Sequence, residues 1–136
     1  MTENTTAQKQ GILIAKEASA PEPIEVGVYK AKLVGWEEKE NAQFGPYIRM
    51  EFEITSGENK GVTRSLIASR KLTKGKTTET TSRLWKVISG LRGNEPEKGE
   101  QVSLEELVGT ECQILVEDRA GSDGWQEISK VLPAKN

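Results

Sequence analysis

From Val26 onward, apolar and polar residues alternate along the chain. Tyr29, Ala31 and Leu33 are interleaved with Lys30 and Lys32, and the period breaks at Val34-Gly35-Trp36, where the glycine predicts a bulge or sharp bend in a long strand. After the loop ENAQFGP, Ile48, Met50, Phe52 and Ile54 alternate with Tyr47, Arg49, Glu51 and Glu53, the pattern of a strand buried on one face. The turn Ser56-Gly57-Glu58-Asn59-Lys60-Gly61 leads into a third strand, Val62 to Ser69, forming a hairpin with the second. The period then changes. Leu84, Val87, Ile88 and Leu91 are spaced i, i+3, i+4 and i+7 behind a Ser/Thr-rich start able to cap a helix, and Gly90 and Gly93 mark its expected stop. Ser103 and Glu106 form a capping box with Val102 and Leu107 as staple, predicting a short helical turn that ends at Gly109. Cys112, Ile114 and Val116 alternate again, and a last strand runs from Trp125 to about Leu132, closing a second hairpin.

Strand, strand, strand, helix, strand, strand is the element order of the OB-fold. The expectation is therefore a mainly β domain, a five-stranded OB-type barrel with one amphipathic helix between strands 3 and 4. The domain is expected over residues 26 to 133. Residues 1 to 25, rich in Thr, Gln, Glu, Ala and Pro, read as a flexible arm whose one apolar cluster is Ile12, Leu13 and Ile14, and residues 134 to 136 form a short tail.

At 136 residues the chain is sized for one domain with a real core. No run approaches the roughly 18 apolar residues of a membrane span, and the start MTENTTAQKQ lacks signal-peptide order, so the chain reads as soluble and intracellular. Cys112 stands alone and there is no histidine. Histidine triads, Cys/His pairs and nearly all zinc sites are thereby excluded, leaving carboxylate-and-magnesium chemistry, lysine chemistry and phosphate handling.

Charge is partitioned. The formal net charge is -2, yet residues 62 to 93 carry eight Lys or Arg and a single acid, while both flanking regions are acidic. Because salt limits each charge to a Debye length of about 8 to 10 Å, such a block can steer a polyanion toward an acidic protein. Arg64, Arg70, Lys71, Lys74 and Lys76 fall in strand 3 and the connection to the helix, and Arg49 joins them from the outer face of strand 2. Of the seven aromatics, Tyr29, Phe52 and Trp85 have core parity or border the helix stripe. Trp36 and Tyr47 flank and Phe44 lies within the first of the two loops that frame the groove of an OB barrel, and Trp125 stands beside the second, where ring faces stack bases. The expected nucleic-acid-binding set is Trp36, Phe44, Tyr47, Arg49, Arg64, Arg70, Lys71, Lys74, Lys76 and Trp125.

Two motifs suggest enzymes and fail on their own terms. Gly75-Lys76-Thr77 sits between a strand and a helix as a phosphate loop would, but that loop needs a glycine five residues earlier, where the chain has Arg70. Glu37-Glu38-Lys39 and Glu58-Asn59-Lys60 place a carboxylate two residues before a lysine, as some magnesium nucleases do. No third carboxylate is fixed beside either by the pattern. No catalytic residue, metal or cofactor is expected.

Several short motifs resemble a family. They are Gly27-x-Tyr29-x-Ala31-x-Leu33, Phe44-Gly45-Pro46, Phe52-x-Ile54 before a glycine turn, Ser69-Arg70-Lys71-Leu72-Thr73, and Leu107-x-Gly109-x-x-Cys112. Together, over about residues 26 to 133, they look like the small phage- or plasmid-encoded single-stranded-DNA-binding-like proteins. The resemblance implies an OB-type fold and a role in replication or recombination. The housekeeping bacterial single-stranded-DNA-binding protein is less similar: its acidic partner-recruiting tip has no counterpart in the PAKN end. The sequence thus points to non-enzymatic binding of single-stranded DNA or RNA, with a homo-oligomer or a replication or recombination protein as further partner. A protein-interaction or assembly module is the alternative, and a magnesium nuclease comes third.

Overall fold

The computed structural model describes residues 22–43, 45–121 and 124–134. The arm through Pro21, with its Ile12 to Ile14 cluster, and Phe44 lie outside the described residues. Among the described residues, five antiparallel strands form one open sheet: β1 (Gly27–Asn41), β2 (Gly45–Ile54), β3 (Thr63–Ser69), β4 (Glu111–Asp118) and β5 (Gln126–Pro133). Their order across the sheet is β3-β2-β1-β4-β5. Helix α1 (Arg83–Arg92) follows β3 in the chain, and the one-turn α2 (Leu104–Leu107) precedes β4.

β1 holds the sheet together because it is long enough to serve two partners. Its first part pairs with β4, from Gly27 opposite Val116 to Lys32 opposite Glu111, and its second part pairs with β2 out to Asn41 opposite Gly45. Between them the register slips: Leu33 faces Phe52 and Gly35 faces Glu51, so Val34 is the extra residue of a bulge. A bulge reverses side-chain parity. Ala31 and Leu33 point into the core before it, and Trp36, opposite the buried Met50, takes the core side after it. β5 repeats the device. Leu115 faces Lys130 while Val116 faces Ile128, which lets Ile128 and Val131, three residues apart, both be buried.

The core lies between one face of the sheet and α1. Leu33, Met50, Phe52, Ile54, Ile114 and Ile128 meet the helix stripe of Leu84, Val87, Ile88 and Leu91. Ser82 caps α1 by accepting from the Trp85 amide, and its hydroxyl also accepts from the Thr73 amide at 3.0 Å, stapling the connection to the helix start. Gly90 does not end the helix. It lies inside α1, where an added Cβ would fall 1.9 Å from the Val131 carbonyl oxygen, so helix and β5 approach closely there. Gly93, at φ 83°, is the left-handed cap.

The edge strands β3 and β5 do not share a backbone ladder. Side chains span the gap instead. Arg83 of α1 donates to the Ile67 carbonyl on β3 at 3.2 Å and to the Ile128 carbonyl on β5 at 2.7 Å. Arg64 on β3 donates through Nε and Nη2 to the Gln126 amide oxygen on β5. The segment ahead of β1 is fastened to the same place, ahead of the Val26 start expected for the domain. Ile24 exchanges two hydrogen bonds with the Gln126 side chain and packs on the core, and the Glu22 carbonyl accepts from Arg64.

Candidate nucleic-acid interface

The basic block divides by residue type. All four of its arginines are engaged. Arg64 is 8 % exposed and its guanidinium is filled by Gln126 and the Thr63 and Glu22 carbonyls, with burial pushing its pKa below the ordinary arginine value and Tyr29 pulling weakly the other way. Arg64 is therefore a clasp inside the fold, turned away from any open surface. Arg70 pairs with Glu38 at 3.2 Å, Arg83 ties the two edges, and Arg92 is held by Glu100 and Asn94. Arg49, outside the block, lies between Glu37 and Glu51 on the outer sheet face. The planar, five-donor guanidinium suits such bridging of fixed acceptors, whereas an ammonium is a mobile point charge.

The lysines are freer. Lys71, Lys76 and Lys86 are exposed and have no ion-pair partner among the described residues; Lys74 pairs with Glu95. Lys74, Lys76 and Lys86 line one open cleft of about 660 Å³ together with Trp85. Two elements converge there. Trp85, Lys86 and Ser89 follow one flank of α1 beside the apolar stripe, and the connection from β3 supplies Lys74 and Lys76.

Threonines give that connection its shape. The Thr81 hydroxyl donates to the Thr77 carbonyl at 2.8 Å and accepts from the Gly75 amide at 3.0 Å, while the Thr80 hydroxyl accepts from the Thr77 amide. The fold-back is tight enough that a Cβ on Gly75 would meet the Thr80 backbone at 2.5 Å. The amides of Gly75 and Thr77, which a phosphate loop would aim at its ligand, are thus consumed within the turn. This agrees with the missing glycine at Arg70.

The aromatics separate. Trp36, carried to the core side by the Val34 bulge, packs against the core, donates its indole N–H to Glu105 at 3.2 Å, and lines a cleft of about 310 Å³ with Arg70 and Leu72. Tyr47 is half-buried on the outer face, between Lys39 and Ser69 on the neighbouring strands. Trp125 is 40 % exposed and lines a third cleft with Ile24, Val26 and Asp118. Trp36 and Trp125 therefore line different clefts, and the lysine cleft holds a different ring. Sequence reasoning assigned Trp85 to packing. The signal for it was present: position 85 lies one residue off the Leu84, Val87, Ile88, Leu91 stripe and is followed by a lysine.

Glu95 also lines this cleft, and its Oε1 accepts from Lys74 Nζ at 2.5 Å and from the Trp85 indole at 3.0 Å. Those two donors, Lys74 foremost, hold its carboxyl below the usual carboxylate range. Among the described residues no cluster of three or more His, Cys, Asp or Glu could hold a metal ion, and no helix is long and apolar enough to cross a membrane. No family model matches the chain, and no curated protein matches it significantly.

Proposed function

We propose that this chain is a non-enzymatic module that binds single-stranded nucleic acid, DNA before RNA, in the replication or recombination of a phage or mobile element. The sheet acts as an OB-type barrel whose β3–β5 seam is clasped by Arg64 and Arg83 rather than by a ladder. One observation carries the reading: Lys74, Lys76 and Lys86 share a cleft with Trp85. Lysines neutralise phosphates without fixing register, and an indole stacks any base, so the pair serves a strand irrespective of its sequence. Lys71 extends the strip along the connection. The resemblance to phage- and plasmid-encoded single-strand-binding-like proteins supports the same reading.

Titration with oligo-dT, followed by tryptophan fluorescence and gel mobility at several salt concentrations, tests it. Three uncommitted lysines give a log–log salt slope of about -2. No quenching and no mobility shift at low salt would remove the proposal, and a flat slope would indicate a neutral ligand.

A protein-interaction module is the second reading, and the outer face of β1, β4 and β5 favours it. Val28, 53 % exposed, faces Leu115 across the ladder, and Leu132, 39 % exposed, faces Gln113 two positions away. Partner capture that is insensitive to salt and abolished by Val28→Lys would select this reading.

A further inference from the structure

The lysine cleft contains an acid where a polyanion-binding surface should exclude one. Glu95 takes two of the donors that line the cleft, the Lys74 ammonium and the Trp85 indole N–H, on the same oxygen. An ammonium and an indole N–H are donors only, so together they can serve nothing but an acceptor. A carboxylate and a phosphodiester oxygen make the same demand on them: a localised negative charge with open lone pairs, reached by charge-assisted hydrogen bonds.

We propose that Lys74 Nζ and Trp85 Nε1 form a phosphodiester subsite, and that Glu95 occupies it in the unliganded protein as an internal stand-in for the phosphate. The inference rests on the single-strand reading and goes further by naming the donors and the competitor. Its chemistry is an exchange of acceptors. A backbone phosphate takes the position of the Glu95 carboxylate, Lys76 and Lys86 neutralise neighbouring phosphates, and the Trp85 ring lies within reach of the adjoining base. The depressed pKa of Glu95 reports that the two donors favour an anion between them. Because the Lys74–Glu95 pair lies at the surface, with each side chain about half exposed, it is screened and readily exchanged. Its function is then a threshold: an isolated anion meets an occupied subsite, whereas a strand that engages several lysines at once displaces the carboxylate.

The test is a salt series of anisotropy titrations with labelled oligo-dT on the full chain, comparing the wild type with Glu95→Gln, Glu95→Ala and Glu97→Gln. Glu97 is an exposed acid two residues away that borders a neighbouring cleft with Lys74 and Trp85 but makes no hydrogen bond or ion pair with either, so it controls for net charge. The inference expects Glu95→Gln and Glu95→Ala to tighten binding by about 3- to 10-fold and to steepen the log–log slope by about 0.7, because in the wild type the displaced carboxylate takes up a cation that offsets the one released at the Lys74 phosphate contact. Glu97→Gln should do neither, and adding Trp85→Phe to Glu95→Gln, which keeps an aromatic face, smaller than the indole, but removes the N–H, should cancel part of the gain. Equal or weaker binding by the Glu95 variants, or the same gain in Glu97→Gln, overturns the inference and leaves the single-strand reading standing. Absence of binding by every protein in the series overturns the reading itself.

Discussion

Arg64 and Gln126 meet across the gap between β3 and β5, with guanidinium Nε and Nη2 3.2 and 3.0 Å from a single amide oxygen. The amide nitrogen of the same glutamine donates to the Ile24 carbonyl and to Asp118, and the same arginine donates to Thr63 and Glu22. Two side chains thereby join both edge strands, the end of β4 and the segment entering β1. Where no backbone ladder joins the two edges of the open sheet, this charged hub ties them by side chains, as Arg83 does beside it. A buried guanidinium is tolerated only when its donors are satisfied, and the described residues leave no buried side-chain polar atom without a partner.

Removing either member of that hub should therefore cost more than a surface ion pair. Gln126→Ala leaves the buried cation short of an acceptor, and Arg64→Ala leaves several acceptors unmatched; each is expected to destabilise the fold by about 2 to 4 kcal/mol. Arg64→Lys should recover less than half, since an ammonium cannot reproduce the fork. Chemical denaturation checks all three. A loss below about 0.5 kcal/mol for Arg64→Ala would show the clasp to be dispensable.

Gly90 and Gly93 make a matched pair for a second measurement. At Gly90 alanine gains about 1 kcal/mol of helix propensity but drives a methyl against the Val131 carbonyl at 1.9 Å, so α1 and β5 must separate. Gly90→Ala is expected to be net destabilising by about 2 kcal/mol or more. At Gly93 the space is open, with the nearest atom, Pro133 Cβ, at 3.7 Å, and only the φ of 83° opposes a side chain. Gly93→Ala should cost about 1 kcal/mol. Reversal of that order would mean that helix and strand can part freely.

Cys112 is 2 % exposed on β4, and burial pushes its thiol up from 9.0 to about 12. The folded state therefore holds the neutral thiol while the unfolded chain ionises. Stability from this group is complete below pH 9 and is lost as pH rises from there toward 12, by at most about 1.4 kcal/mol per pH unit. Thiol reagents at pH 8 should modify the native protein only as fast as it unfolds. Cys112→Ala should remove this alkaline loss, and a rapid reaction of the native protein would contradict the burial.

The strands and the helix were legible because burial imposes period 2 on β2 and β4 and period 3.6 on α1, and each pattern runs unbroken through its element. The ring placement was not. One extra residue at Val34 reverses parity, so Trp36 faces the core side although a straight count from Leu33 would turn it outward. Nor could sequence separate the arginines from the lysines of the basic block. Their fates depend on acceptors far away in the chain: Gln126 for Arg64, Ile128 for Arg83, Glu38 for Arg70. Charge density shows that a polyanion could be attracted, and only the fold shows which cations remain to meet it.

That division yields a double dissociation. Lys76 and Lys86 are exposed, unpaired among the described residues and on one cleft, so Lys76→Glu combined with Lys86→Glu should weaken oligo-dT binding at least about 10-fold in low salt and flatten the salt slope by about 1.4. The melting temperature should stay nearly unchanged, because exposed charges contribute about 0.5 kcal/mol or less to folding. Arg83→Ala should do the reverse: with its two edge carbonyls released the melting temperature falls by several degrees, at about 1 kcal/mol for each lost charged hydrogen bond, while the slope stays as in the wild type. Both residue types carry the same charge, and Arg83 and Lys86 lie three residues apart on α1. If both substitutions move both readouts together, the cations form one undivided patch; if they move separate readouts, arginine builds this protein and lysine serves its ligand.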